Sequence, residues 1–283
     1  MLLPIRTDDR LVILGAGGWF GRSFLRLVHA SIPVLRMASS RREDLIEWDY
    51  DTIRGFAPTV VVNFAFLTRD WVEREGEETF RKVNRQLLER FAVTAEIPGV
   101  RSVLTVSSGA ALDAPDSPYG SMKIAEETLA RDLAVGPRAV VVARCYSVSG
   151  PFVRRPRSYA FSDLILQARS GTVRVSSDRL TFRRYTDVQD YLSVCIRHAL
   201  AGWSGTIESG GELMEMGELA ERVVSEVNPS AQILRPPLCL GPASVYASDN
   251  SSWANACMRM AFWPRPLVEQ IRYTDENMPP ETS

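Results

Sequence analysis

Tyr119-Gly120-Ser121-Met122-Lys123 sets a phenol and an ammonium four residues apart. On a helix that spacing brings both to one face. A free tyrosine, with a pKa of about 10, is a poor base at neutral pH. A fixed cation beside it favours the phenolate and brings that value down. Tyr119 can then exchange a proton with a hydroxyl or a carbonyl oxygen. The chain has two lysines, Lys82 and Lys123, and the rest of its 33 basic residues are arginine. An always-charged arginine fork is no substitute for a compact ammonium at such a place. Ser108 lies eleven residues before Tyr119, in Ser107-Ser108 at the end of an apolar run. At the carboxyl end of a parallel strand its hydroxyl faces the crevice where ligands bind, and it can hydrogen-bond the same substrate oxygen.

A second constellation lies near the N-terminus. Gly15-Ala16-Gly17-Gly18-Trp19-Phe20-Gly21 follows the apolar run Leu11–Leu14 and opens an amphipathic stretch. Glycines at 15, 18 and 21 permit a turn that Cβ forbids. They let a diphosphate approach bare backbone N–H groups at a helix start, and they let helix and strand pack closely. With a dinucleotide so anchored, proton exchange at Tyr119 pairs with hydride transfer at a nicotinamide, and Lys123 can also bond its ribose. An NAD site usually carries an acid about 20 residues past the glycines. Here Ser39-Ser40-Arg41-Arg42 occupies that region. Guanidinium forks suit a 2′-phosphate, so NADP is the expected cofactor, with NAD as the alternative.

The elements that must position these residues follow from periodicity. Apolar runs at Leu11–Leu14, Val34–Ala38, Leu45–Trp48, Val60–Phe64, Val103–Val106 and Ala139–Ala143 alternate with amphipathic stretches. Helices are expected at 18–30, 77–95 and 118–133, Pro118 fitting a helix start. The alternation predicts an α/β fold, a Rossmann-type doubly wound parallel sheet. After Gly150-Pro151 the pattern loosens. Helices near 158–170, 188–200 and 216–227 suggest a smaller C-terminal substrate-binding lobe. Residues 1–150, with about 182–205, are assigned to the dinucleotide-binding domain, and 151–181 with 206–283 to the lobe. The tail after Asp275 is expected to fray.

Totals exclude other classes. Of 283 residues, 45% are hydrophobic and 24% charged, with a net charge of -1, which suits a soluble enzyme rather than a nucleic-acid or membrane binder. The opening MLLPIRTDDR is too short and charged for a secretion signal, so a cytoplasmic location is expected. Cys145, Cys195, Cys239 and Cys257 form no CxxC pair, and His29 and His198 lack ligand-spaced neighbours. No metal site and no histidine triad are expected.

Together these residues resemble the extended short-chain dehydrogenase/reductase superfamily, whose members are nucleotide-sugar epimerases, dehydratases and reductases. The resemblance implies that Asp49-Tyr50 contacts adenine, that Phe64 and Ala65 lie beside the cofactor, and that Asn84 supports the active site. It extends to Arg144-Cys145-Tyr146-Ser147-Val148-Ser149-Gly150-Pro151 and to the segment from Arg183 to Asp190. It implies cofactor contact for Tyr146, substrate contact for Ser147, and a nucleotide phosphate on Arg183. Gly109-Ala110 stands where sugar dehydratases carry an Asp-Glu pair, which disfavours elimination. The resemblance thus implies a ketoreductase of a nucleotide-linked deoxysugar, with an NAD-retaining epimerase as alternative and a non-catalytic dinucleotide sensor as a third reading. It also implies a homodimer formed through helices 77–95 and 118–133.

Overall fold

The computed structural model describes residues 3, 5–6, 8–37, 49–153 and 155–278. Strand β1 (Leu11–Leu14), helix α1 (Trp19–Leu25) and β2 (Val34–Met37) begin the chain. Next come α2 (Tyr50–Phe56), β3 (Val60–Asn63), α3 (Asp70–Glu75), α4 (Glu77–Ala95) and β4 (Ser102–Ser108). Helices α5 (Ala110–Asp113) and α6 (Pro118–Leu133) precede β5 (Ala139–Cys145). The remainder runs β6 (Val148–Ser149), α7 (Ala160–Arg169), β7 (Thr172–Arg174), β8 (Thr181–Asp187), α8 (Val188–Leu200), β9 (Gly205–Glu208), β10 (Glu212–Glu215) and α9 (Met216–Val227). It closes with β11 (Gln232–Leu234), β12 (Ser244–Tyr246), α10 (Ser251–Arg259) and α11 (Leu267–Asn277).

The chain divides into two compact units, Met1–Cys145 with Leu192–Glu208, and Tyr146–Tyr191 with Ser209–Ser283. In the first, six strands form one sheet in the order β2-β1-β3-β4-β5-β9, and every pairing is parallel. β1 and β3 are buried along their whole length, as strands covered on both faces must be. β2, at the sheet edge, is only half-buried. From β1 the chain goes first to β2 on one side and then to β3 on the other. The C-terminal ends of β1 and β3 therefore flank a topological switch point, where open α/β sheets place their ligands.

Two long helices cover this sheet. α4 buries Phe80, Val83, Asn84, Leu87, Leu88, Phe91, Thr94 and Ala95, the stripe that a 3.6-residue period dictates. α6 starts where Ser117 Oγ accepts the Gly120 N–H at 3.0 Å and Pro118 takes the first turn. Its buried face is unusual, because Lys123, Glu126 and Glu127 share it with Met122, Ala130 and Leu133.

In the second unit β8 is the hub. It pairs antiparallel with β10 and parallel with β12 and β6, and β7 pairs with β11. Helices α7, α9 and α11 pack together around Phe161, Ile165, Leu219, Val223 and Ile271. Glu215 and Glu218 form a capping box at the start of α9.

Several boundaries differ from the sequence reading. The segment returning to the first unit is Leu192–Glu208 rather than 182–205, because β8 is paired within the second unit. α1 stops at Leu25 rather than near residue 30. The tail expected to fray after Asp275 continues as α11 to Asn277, where Arg169 Nε holds Asp275 at 2.7 Å. The strand expected at Leu45–Trp48 lies outside the described residues. Among the described residues no helix is long and apolar enough to cross a membrane, and no group of three metal-ligating side chains occurs.

Gly21 and Gly55 offer a test of this packing. A Cβ on Gly21 would sit 2.5 Å from the Gly15 carbonyl oxygen and 2.6 Å from Ala16 Cα. Gly55 lies inside α2, with nothing among the described residues within 4 Å of its Cβ position. Gly21→Ala is expected to cost about 1–3 kcal/mol through overpacking. Gly55→Ala is expected to add roughly 0.5–1 kcal/mol of helix stability. Urea unfolding of the two variants measures both signs, and equal effects would contradict the tight α1–β1 junction.

Candidate active site

The glycine turn stands at the switch point. Gly15 has φ +77, and a Cβ there would lie 2.6–2.7 Å from the backbone of Phe64 and Ala65. The turn after β1 and the exit of β3 thus touch backbone to backbone, which leaves no room for a side chain. Gly18 is the N-cap of α1 and supplies no side-chain cap. The Trp19 and Phe20 rings meet at 5.8 Å. Phe64 lies 6.1 Å from Phe20 and 5.7 Å from Phe24. Ala65 is buried, its N–H bonded to Asn63 Oδ1 at 3.1 Å.

β4 and α6 bring Ser108, Tyr119 and Lys123 together. Ser108 lies beside the Tyr119 phenol and favours its ionised form, and the Ala110 N–H donates to Ser108 Oγ at 3.2 Å. The half-buried Tyr119 ring packs edge-on against Phe66 at 6.0 Å and lies 6.5 Å from Phe80. Lys123 Nζ is 5.8 Å from the Tyr119 ring centroid and 3.5 Å from that of Phe66. It donates to the Val106 carbonyl at 2.8 Å and to Glu126 Oε2 at 2.7 Å.

The electrostatics reverse one expectation. Lys123 was expected to bring the Tyr119 phenol down. Instead burial pushes it well above the ordinary tyrosine range, the Ser108 hydrogen bond opposes this in part, and Glu126 adds to the rise. The physical reason is that taking the phenolate out of water costs more than its neighbours return, and the Glu126 carboxylate adds its own repulsion. Lys123 itself is held below the usual lysine value by burial, with Glu126 opposing. Burial therefore favours the protonated form of Tyr119.

Sequence reasoning missed Glu126 and Glu127. Their signal was the i+3 and i+4 spacing from Lys123, in Lys123-Ile124-Ala125-Glu126-Glu127. Glu127 belongs to a separate frame. Its carboxylate accepts from Ser107 Oγ at 2.6 Å and, through a bidentate fork, from Arg144 at 2.8 and 2.6 Å. Arg144 also reaches Glu208 at 2.7 Å, tying β5 to β9.

The other expected residues occupy these positions. Asp49 is the N-cap of α2, accepting the Asp51 and Thr52 N–H groups at 3.1 and 3.2 Å, and the Thr52 hydroxyl bond holds its carboxyl below the usual range. Tyr50 begins that helix. Asn84 Oδ1 accepts the Leu67 N–H at 2.8 Å, while its buried Nδ2 has no partner among the described residues. Ser39, Ser40, Arg41 and Arg42 lie outside the described residues. In the second unit the Tyr146 ring meets Tyr246 at 5.1 Å, and Arg183 lies over Tyr246 at 5.7 Å. Half-buried Ser147 directly precedes β6.

The profile of the NAD dependent epimerase/dehydratase family matches residues 11–207. No curated protein matches in sequence. Among solved structures, dTDP-4-dehydrorhamnose reductase from Bacillus anthracis str. Ames, in complex with NADP, superposes with a TM-score of 0.70 at 16% identity, covering 95% of this chain and 99% of that one. UDP-glucose 4-epimerase from Brucella ovis, in complex with NAD, gives 0.70 at 17% identity, covering 95% and 98%. TunA, an NAD-dependent NDP-hexosamine 5,6-dehydratase involved in tunicamycin biosynthesis, gives 0.72 at 18% identity, covering 95% and 97%.

The Glu127 frame makes a pH-dependent prediction. Burial pushes the Glu127 carboxyl up, but the Arg144 and Ser107 hydrogen bonds together outweigh it, so the net shift is downward. A carboxyl lowered in the folded state stabilises the fold above its unfolded value. That stability is lost as the pH falls through the folded value. Glu127→Gln is expected to cost about 1–3 kcal/mol at neutral pH, and the deficit should shrink in acid. Urea unfolding at neutral and acid pH measures this, and a deficit of constant size would contradict it.

Proposed function

From the premise that this chain belongs to the NAD dependent epimerase/dehydratase family, we propose that it is an NADPH-dependent ketoreductase whose substrate is a nucleotide-linked deoxysugar. As a member of that family it is an NAD(P)-dependent enzyme of the extended short-chain dehydrogenase/reductase type. The observation that supports the reductive reading is the enclosure of the Tyr119 phenol by Phe66 and Phe80 beside Ser108, which favours its protonated form. A protonated phenol donates to a ketone oxygen, whereas alcohol oxidation needs it as a base.

The residues present fit a pyridine dinucleotide. Gly18 puts no side-chain cap on the start of α1, and among the described residues only the Gly15 carbonyl oxygen, at 3.4 Å, lies within 4 Å of its Cβ position. A helix start reached through glycine, with no side chain over it, suits a diphosphate. The orphaned Asn84 amide nitrogen calls for an acceptor, since a buried donor left unpaired is costly. Lys123 has three N–H donors, of which the protein occupies two, leaving one for a ribose hydroxyl. Ser39, Ser40, Arg41 and Arg42 support a 2′-phosphate by residue type, with Asp49, Tyr50, Phe64, Ala65 and Tyr146 as further cofactor contacts.

When bound, the reduced nicotinamide supplies the hydride. Ser108 holds the substrate carbonyl oxygen, and Tyr119 passes its phenolic proton to that oxygen. Lys123 stabilises the phenolate that remains. The Phe66 and Phe80 rings beside the phenol keep water from competing as a proton source. We assign the first unit to the dinucleotide and give substrate contacts to Ser147 and Arg183 in the second. Four free cysteines favour a reducing compartment, and the proposed location is the cytoplasm. The proposed dimer uses the α4 and α6 surface, where Leu88, Ala92, Met122, Ala125 and Leu129 line a groove with Arg85.

A screen of keto-sugar nucleotides, followed by NADPH absorbance, tests the reaction. Tyr119→Phe is expected to lower kcat by about 10²–10⁴-fold while retaining dinucleotide binding. Sugar turnover without net loss of NADPH would overturn the reductase in favour of an epimerase. Unchanged biological activity of Tyr119→Phe would favour a dinucleotide sensor. Sedimentation of the intact protein is expected to give a dimer, and a monomer at working concentration would remove that part.

A further inference from the structure

Glu126 has no part in the reaction proposed above, yet its carboxylate is held by three different side chains beside Tyr119 and Lys123. Its Oε1 accepts from the Thr105 hydroxyl at 2.5 Å and from Asn63 Nδ2 at 3.2 Å. Its Oε2 accepts from Lys123 Nζ at 2.7 Å. Three elements, β3, β4 and α6, therefore converge on one carboxyl group. The pair is sealed from solvent, the two side chains being 4% and 1% exposed. Thr105 and Asn63 are themselves buried and bonded to each other at 3.1 Å.

Fold stability does not account for this cluster. A buried ion pair is commonly no better than apolar residues of similar volume, and α6 fills neighbouring buried positions with Met122, Ala130 and Leu133. An ammonium enclosed by the Phe66 ring and the Val106 carbonyl loses its charge unless an anion compensates it. The groups facing it are Glu126, Glu127 and the Tyr119 phenol from its own helix, and Cys145 from β5. Of the two carboxylates, Glu127 is already bound by Arg144, and Glu126 alone touches Nζ.

We propose that Glu126 is a positioning residue, which keeps Lys123 charged and fixes its ammonium beside Tyr119 with one N–H left for a ligand. The proposal deepens the reading of Tyr119 and Lys123 as the reacting pair and rests on it. Glu126 also repels the phenolate directly, a smaller effect than burial but of the same sign, which favours the proton that a reductase must give away. Its hydrogen bonds go to Lys123, Thr105 and Asn63 rather than to Tyr119, and its positioning role is exerted through Lys123.

The lysine content makes the test direct. With Lys82 exposed and Lys123 buried, selective isotopic labelling of lysine side chains yields two magnetic resonance signals, and Lys82→Arg assigns them. In the protein without cofactor, Lys123 is expected to stay charged through neutral pH. In Glu126→Gln it is expected to lose its proton on the order of two pH units lower. An unchanged Lys123 titration in Glu126→Gln would overturn the proposal. Should that variant not fold, Glu126→Asp keeps the charge but draws it back by one methylene. A smaller downward shift there supports the proposal, and identity with the unsubstituted protein overturns it. In turnover, Glu126→Gln is expected to lose kcat increasingly as the pH rises, with KM little changed and activity largely rescued by Glu126→Asp. Because the titration needs neither cofactor nor substrate, its outcome holds even if the reductase reading fails, and the reductase reading can likewise survive a negative titration.

Discussion

The structure around the candidate site depends on how one helix face buries charge. α6 presents Lys123, Glu126 and Glu127 to the sheet, where an unpaired ion is prohibitively costly. Each charge therefore has a fixed partner. Glu126 takes Lys123, Thr105 and Asn63, and Glu127 takes Arg144 and Ser107. These bonds index α6 against β3, β4 and β5 at once. Sliding the helix by one residue would leave two carboxylates and a cation unsatisfied in the core. The position of Tyr119, one turn before Lys123, follows from that register.

The sheet order sets the other half of the geometry. Strand order turns from one side of β1 to the other between β2 and β3, which opens a crevice at the C-terminal ends of β1 and β3, and the Gly15 turn meets the Phe64–Ala65 backbone there. β4 lies next in the sheet and ends at Ser108, so the switch point and the hydroxyl pair share one edge. Parallel pairing imposes this alignment, because all strand ends of one kind lie on the same side.

Much of this was legible in the sequence. Helices α4, α6, α8 and α9 have the boundaries their periodicity implies, and the unbroken apolar runs marked β1, β3 and β5. What escaped has a common cause in tertiary context. β9 reads as an ordinary short run, and only pairing with β5 makes it part of the main sheet. β8 carries polar residues, Thr181-Phe182-Arg183-Arg184, because it lies half-buried at the centre of a different sheet. The Tyr119–Ser108–Lys123 set was visible as residue types. The direction of the Tyr119 shift was not, since it depends on enclosure by Phe66 and Phe80 and on Glu126, none of which spacing reports.

The two cations on this face show why residue type matters beyond charge. Arg144 spans two carboxylates with a planar fork, locking β5 to α6 and β9, a task that suits a rigid, permanently charged group. Lys123 has the opposite requirements. Its donors radiate from one atom, so two can be spent on Val106 and Glu126 while the third points elsewhere. Its charge is also adjustable, because a buried ammonium shifts readily where a guanidinium does not. A chain that otherwise uses arginine almost throughout retains lysine where one atom must bond the fold and still serve a ligand. Adjacent carboxylates keep the duties apart, with Glu127 holding the frame and Glu126 governing the ammonium beside the phenol.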